Sequence, residues 1–294
     1  MEQKQSDSLG RSTFHHIAPQ SGVVPIDREI RWLKHIERHG PQSSQYLYEL
    51  TRDTHRCKDT ALRSLQKLRA GGFLRLPTQQ RQTAKADFNP YIYDLTATAK
   101  AFLEGRGLAE PTVRPTGHWW HSYTVSCVTS SIEIAAARRG VRYIPTHEIL
   151  AIKGATLDIP TSHGTVIPDQ LFALQYENGF RAFALEVDRG TEPKTSASAR
   201  KSYLRSITQY AEVIDRELHK SHYGLKANLL VLCVFSTYGN EQRFLDMTAK
   251  ALRSPQRMVH TKTVKNASCR HVPEFSLFTT SWSRAVGMPH SIVE

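Results

Sequence analysis

Cysteine is scarce and scattered in this 294-residue chain: Cys57, Cys127, Cys233 and Cys269 stand far apart and form no Cys-x-x-Cys pair. That spacing argues against a zinc knuckle and a disulfide framework, and it suits a reducing cytoplasm. No apolar run reaches the roughly 18 residues that a membrane-spanning helix needs. The polar start, Met1 to Arg11, has no apolar signal core. A cytoplasmic protein with no membrane partner is expected. No glycine-rich phosphate loop is present, so there is no nucleotide-cradle signature to build on. Acidic residues are in deficit: 27 Asp and Glu face 39 Lys and Arg, a formal net charge of +12. A field of that sign favours nucleic acid or other anionic surfaces. A basic protein with no nucleic-acid partner is the plainer alternative.

What the chain does contain falls into two parts, and its length allows two modest cores. Residues 1–24 are polar and read as a flexible tail. From Asp27 the pattern is helical, with Ile30, Trp32, Leu33 and Ile36 on an apolar face and Gly40-Pro41 at its end. Gln42-Ser43-Ser44 opens a second short helix that turns Tyr46, Leu47 and Leu50 inward. A third helix runs from Lys58 to Ala70 on a stripe of Ala61, Leu62, Leu65 and Leu68, and Gly71-Gly72 stops it. Residues 73–76 and 91–95 read as two strands joined by a polar stretch, and Thr96 caps a last helix through Leu103.

Helix, helix, helix, hairpin, helix is the order of a winged helix-turn-helix, assigned to residues 25–105. In that geometry the second helix of the motif enters the major groove of double-stranded DNA. The candidate groove residues are Arg56, Lys58, Arg63 and Lys67. Arg75, Arg81 and Lys85 fall on or near the wing, beside phosphates. Residues 27–105 carry 14 Lys and Arg against 9 Asp and Glu, which adds weak support. Winged helices also mediate protein contacts, and Lys or Arg on an exposed helix face is often only solvated, so no single base contact is assigned.

Residues 106–117, with their glycines, prolines and arginines, read as a linker, and residues 118–294 as a second domain. His118-Trp119-Trp120-His121 opens a long helix that Arg138-Arg139-Gly140 closes with positive charge at its carboxyl end. His118 and His121 share a helix face and could hold zinc, but no third ligand stands near them in sequence, which favours packing or capping. Residues 156–159 and 165–176 read as strands, Glu177-Asn178-Gly179 as a hairpin turn, and residues 180–187 as the next strand. A helix over residues 196–218 follows. Residues 228–236, almost wholly apolar, read as a central strand. A helix over residues 242–252 and a strand over residues 274–279 complete an α/β domain with a mixed sheet.

Three acids interrupt or end these apolar runs: Asp169 after Pro168, and Glu186 and Asp188 in Ala184-Leu185-Glu186-Val187-Asp188. An ionised carboxylate in such a run is costly unless it is paired or metal-bound. If the two strands pair, the acids converge at one sheet edge. Oxygen donors at that spacing suit a hard divalent cation, Mg²⁺ or Mn²⁺, held by Asp169 and Glu186. Asp188 or Glu133 would assist. Glu133, in the long helix, is the residue most readily explained as surface-facing.

Pro168-Asp169 on one strand and Glu186-x-Asp188 on the next resemble the PD-(D/E)xK nuclease fold. More narrowly, Pro168-Asp169, Glu186-Val187-Asp188-Arg189-Gly190-Thr191, and Lys201 followed by Tyr210 resemble the replication-relaxation protein family over nearly the whole chain. The resemblance implies a winged helix joined to a nuclease-like domain, and a role with plasmid or mobile-element DNA in replication or relaxation, alongside replication or transfer proteins. The lysine that the nuclease pattern places two residues after the glutamate is absent, and Asp188 stands there. Lys201 from the following helix, or Arg189, could supply that positive charge. Tyr210 would brace the helix or touch the DNA backbone.

Three functions stay open on this reading. One is a metal-dependent DNA endonuclease or nickase, with Asp169, Glu186, Asp188, Lys201 and Glu133 as candidate catalytic residues. The second is a noncatalytic DNA-binding replication or transfer accessory protein with a degenerate nuclease fold. The third is a winged-helix transcriptional regulator, for which a homodimer on a short palindrome would be expected.

Overall fold

The computed structural model describes residues 17–82, 89–113, 115, 117–189, 202–251, 255–265 and 269–293. The chain divides into two compact units, Met1–Pro111 with His271–Pro273, and Thr112–Arg270 with Glu274–Glu294. No helix among the described residues is long and apolar enough to cross a membrane.

In the first unit α1 (Asp27–His39) is followed by β1 (Gln42–Ser43), α2 (Ser44–Leu50) and α3 (Lys58–Ala70), then β2 (Leu74–Arg75), a 3-10 turn over Thr78–Gln82, β3 (Ile92–Leu95) and α4 (Ala97–Gly105). Trp32, Leu33, Leu47, Leu65, Leu68 and Leu103 form the centre of its core. The Trp32 indole donates to the Leu47 carbonyl at 2.6 Å and to the Thr51 hydroxyl at 2.9 Å, tying α1 to the end of α2. The three strands form one antiparallel sheet in the order β1-β3-β2. β1 is too short for any periodicity to mark it: Gln42 and Ser43 pair with Tyr93 and Ile92, and the Ser43 hydroxyl caps α2.

Residues 17–24, expected within the tail, reach the end of α3, where the Gln20 amide donates to the Ala70 carbonyl at 2.9 Å. Gly71 makes room for them. A Cβ there would lie 2.5 Å from that of Val23, closer than two carbons can sit.

The second unit opens with α5 (Trp119–Ala137), a helix buried on nearly every side. Its hydroxyls find partners within the helix. Thr124 donates to Trp120 O at 2.8 Å, Thr129 to Val125 O at 3.1 Å and Ser131 to Cys127 O at 2.8 Å, which lets a polar-studded helix serve as core. Then come β4 (Arg142–Ile144), α6 (Thr146–Ala151), β5 (Ile159–Thr161), β6 (Gly164–Val166), β7 (Gln170–Tyr176), β8 (Gly179–Asp188), α7 (Tyr203–Asp215), α8 (Leu218–Tyr223), β9 (Leu229–Phe235), α9 (Tyr238–Ala251), β10 (Val259–Thr263), α10 (Ser276–Thr279) and β11 (Ser283–Arg284).

Six of these strands form one mixed sheet in the order β11-β10-β9-β8-β7-β4. β8, β9 and β10 run parallel, while β7, β4 and β11 pair antiparallel to their neighbours. All seven residues of β9 are buried, as a strand covered on both faces requires.

The segment read as one strand over 165–176 is two. Pro168 cannot donate to a ladder, and the chain leaves β6, which pairs with β5, and re-enters the main sheet at Gln170. The segment 274–279, expected as a strand, is instead a helical turn, α10. The Glu274 carboxylate accepts from the Ser276 amide at 3.3 Å and hydroxyl at 2.6 Å, stabilising the turn. A short apolar run carries no period to separate the two states. The edge strands β4 and β11, and β10 next to β11, are mostly polar or very short, and the pattern did not mark them.

Candidate functional site

The β7–β8 ladder sets the geometry of the acids. Gln170 pairs with Leu185, so Asp169, one residue before β7, stands opposite Glu186. Glu186 and Asp188 share one face of β8 by the two-residue alternation of a strand. All three carboxylates are buried, at 7%, 8% and 7% exposure for Asp169, Glu186 and Asp188. Such burial is tolerable only with directed hydrogen bonds to the charged oxygens.

Each has them. Asp169 Oδ2 accepts from the Val187 amide at 2.8 Å, across the ladder, and Oδ1 lies 3.0 Å from His121 Nε2 on α5. Glu186 Oε1 accepts from the Tyr210 hydroxyl at 2.5 Å. Asp188 Oδ2 accepts from the Tyr203 hydroxyl and from Asn240 Nδ2 at 3.5 Å. Burial, and then the neighbouring Glu186 carboxylate, pushes the Tyr210 phenol well above its ordinary value, so it stays protonated and donating. Tyr203 and Tyr210 are seven residues apart, two turns of α7 on one face. Tyr203 meets Asp188 and Tyr210 meets Glu186, so α7 runs back along β8 before β9 returns parallel to it.

Between β8 and α7 lies a cavity of about 20 Å³, lined by Glu186, Asp188, Tyr203, Ser206, Tyr210 and Phe235 among others. That is space for about one water molecule, not for a substrate.

The nuclease-fold resemblance implies a divalent ion near these acids. Carboxylate oxygens are the right chemistry for Mg²⁺, which binds through one or two carboxylates and keeps several waters. Asp169 and Glu186 are the candidates for that pair. Among the described residues, no three ligand atoms from His121, Asp169, Glu186 and Asp188 lie within 4.8 Å of one another, so these residues form no all-protein cage.

The other candidate residues are distributed as follows. Glu133 lies on α5 twelve residues beyond His121, about 18 Å along a helix rising 1.5 Å per residue, and is not gathered with Asp169. Lys201 and Lys85 lie outside the described residues. Arg56, just before α3, and Lys58 and Arg63 on it are exposed. Lys67, on the same helix, is committed elsewhere: its ammonium sits 2.7 Å and 2.9 Å from the two oxygens of Glu29, itself 1% exposed. Arg75, on β2, bonds Asp94 Oδ2 at 2.6 Å and 3.2 Å, and Arg81 is exposed on the 3-10 turn.

Sequence reasoning gave no site role to Tyr203, which it set beside Tyr210 on one helix side, or to Asn240, and it left His121 to packing or capping. Of the two histidines weighed as a zinc pair, His118 caps α5 by accepting from the Trp120 amide, and His121 pairs with Asp169. The available signal was the i, i+7 tyrosine pair following an i, i+2 acid pair.

A family model described as Replication-relaxation matches residues 33–229, from within α1 to the first residue of β9. No curated protein and no solved structure matches the chain.

Proposed function

The chain belongs to the replication-relaxation family, and from that premise we propose a DNA-binding protein of plasmid or mobile-element replication or relaxation that hydrolyses phosphodiesters with a divalent metal ion. The observation that carries this reading is the trio of buried carboxylates at the end of β8, with Asp169 opposite Glu186 and each acid held by a directed hydrogen bond. Three buried carboxylates gathered at one strand end are costly, and such clusters concentrate at functional sites. In this reading the second unit is a PD-(D/E)xK nuclease-like fold. The first unit is a winged helix-turn-helix with α3 as the helix that meets double-stranded DNA.

Asp169 and Glu186 would hold Mg²⁺ or Mn²⁺, which supplies charge neutralisation at the phosphate and a more acidic bound water. The chain's own residues fix that pair. Val187 N–H and His121 orient Asp169, and the Tyr210 hydroxyl orients Glu186. Asp188, tied to Tyr203 and Asn240, adds negative charge beside them. Lys201 is the cation assigned to the developing charge on the phosphate.

The test is cleavage or nicking of supercoiled, linear and branched DNA by the purified chain with Mg²⁺ or Mn²⁺. Asp169→Asn and Glu186→Gln are expected to lower the rate by about 100-fold or more, ~3 kcal/mol of barrier, with DNA affinity retained. Absence of metal-dependent cleavage on all three substrates would remove hydrolysis from this reading.

One observation favours a second reading. The position of the nuclease lysine is held by Asp188, whose oxygen is already engaged by Tyr203 and Asn240. A noncatalytic replication or transfer accessory protein would bind DNA with strong salt dependence, and that binding would be indifferent to alanine at residues 169 and 186.

A further inference from the structure

Immediately after the acids, the chain places a positive charge that forms no ion pair among the described residues. Arg189 follows Asp188, and strand alternation carries it to the face opposite the carboxylates, the side of Leu185 and Val187. Arg270 lies at the start of α5: its carbonyl accepts from the Tyr123 hydroxyl, and its guanidinium sits 5.2 Å from the centre of the Trp120 ring. Trp120 is the neighbour in sequence of His121, the partner of Asp169.

Both arginines keep a buried Nε–H with no hydrogen-bond partner, and among the described residues neither forms an ion pair. Burial first, and then the charge of Arg270, hold the Arg189 guanidinium below its ordinary value, so the two cations feel each other. Two guanidiniums brought together with unused donors are costly until an anion meets them, and the planar fork suits phosphate oxygens.

We propose that Arg189 and Arg270, the latter backed by Trp120, form a clamp for a phosphodiester of a DNA strand beside the carboxylate end of β8. The clamp rests on the reading that this chain binds DNA, and it does not depend on hydrolysis. Its role is positioning: it holds the strand at the carboxyl end of β8, on the side of α5, without touching the reacting atoms.

The test uses the full chain and a fluorescently labelled single-stranded oligonucleotide, titrated by anisotropy over a range of salt. Inorganic phosphate serves as a second probe, read by tryptophan fluorescence. Arg189→Ala, Arg270→Lys and their combination are compared with the natural chain, after thermal unfolding confirms that each is folded. Arg270→Lys keeps a cation over Trp120 but loses the fork, so it stays informative where Arg270→Ala would disturb packing. The combined variant is expected to lose about 10-fold in affinity, and its log K against log salt slope to fall by about 1. Unchanged affinity and slope in the folded combined variant would overturn the clamp. So would a fluorescence response to inorganic phosphate that needs the arginines while oligonucleotide affinity does not, since the site would then serve a free anion.

The two readings fail separately. Arginine-dependent affinity in a chain that cleaves nothing supports the clamp and removes hydrolysis. Cleavage lost in Glu186→Gln, with arginine variants that bind and cleave as the natural chain does, removes the clamp and leaves hydrolysis standing.

Discussion

The outer face of α3 and the carboxyl end of β8 both collect charge, but they handle it in opposite ways. Arg56, Lys58 and Arg63 are exposed, and among the described residues none makes an ion pair. Water solvates them at little cost, and they can meet a polyanion without first breaking an internal contact. Asp169, Glu186 and Asp188 are buried, and each is pinned by a hydroxyl, an amide or an imidazole. There the protein has already met the cost of desolvation, and the donors repay part of it while fixing where the oxygens point. Free surface charge attracts at long range and specifies little. Held, buried charge gives up stability for geometry, which is what a site for chemistry requires.

The largest loss of stability is expected at Tyr210. Tyr210→Phe keeps the ring and removes the hydroxyl that donates to the buried Glu186 Oε1 at 2.5 Å. A loss of about 2 kcal/mol in unfolding free energy is expected, measured by denaturant titration near neutral pH. The phenol also sets a pH signature. Its folded value lies well above the ordinary one, so its contribution is whole below about pH 10 and fades as pH rises toward the folded value. The natural chain should therefore lose stability in alkali more steeply than the phenylalanine variant. Equal slopes would mean that Tyr210 titrates as it would in the unfolded chain.

This is also where the sequence stopped being readable. Asp169, Glu186 and Asp188 stood out because charge inside an apolar run contradicts its surroundings, and that contradiction is visible without coordinates. The helices of the first unit were equally plain, since Trp32, Leu33 and Ile36, or Leu65 and Leu68, repeat at the period of a helix. Partners were not readable. Nothing local says that Tyr203 will face Asp188, because that depends on where α7 crosses β8. Nothing local says that Arg270 will stand over Trp120, 150 residues away in the chain. β1 and β11 are two-residue strands with no period at all, and their pairing is purely a tertiary fact.

Lys67 sharpens the comparison because it lies on α3 yet behaves like the buried set. Its ammonium bridges both oxygens of Glu29, whose side chain also accepts from the Ile26 amide at the start of α1. Lys67→Ala strands a buried carboxylate that keeps, among the described residues, the Ile26 amide as its donor. The expected cost is about 1 kcal/mol of stability, below the full value for a wholly buried pair because the lysine is partly exposed. The salt dependence of DNA binding should not change. A slope that falls by about 1, as for the loss of a phosphate contact, would return Lys67 to the DNA-facing group.

The smallest effect on stability, and the clearest on binding, is expected from replacing Arg56, Lys58 and Arg63 together by alanine. No contact among the described residues depends on their charges, and alanine favours the helix at 58 and 63, so unfolding free energy should move by no more than about 0.5 kcal/mol. Binding to duplex DNA should weaken, with the log K against log salt slope falling by about 0.9 for each phosphate contact removed. On the proposed function, cleavage measured at saturating DNA should hardly change, because these side chains would deliver the duplex and take no part at the carboxylates. A triple variant that bound duplex DNA with the natural affinity and slope would show that the exposed charge of α3 is only solvated, and the attraction to DNA would have to come from the second unit alone.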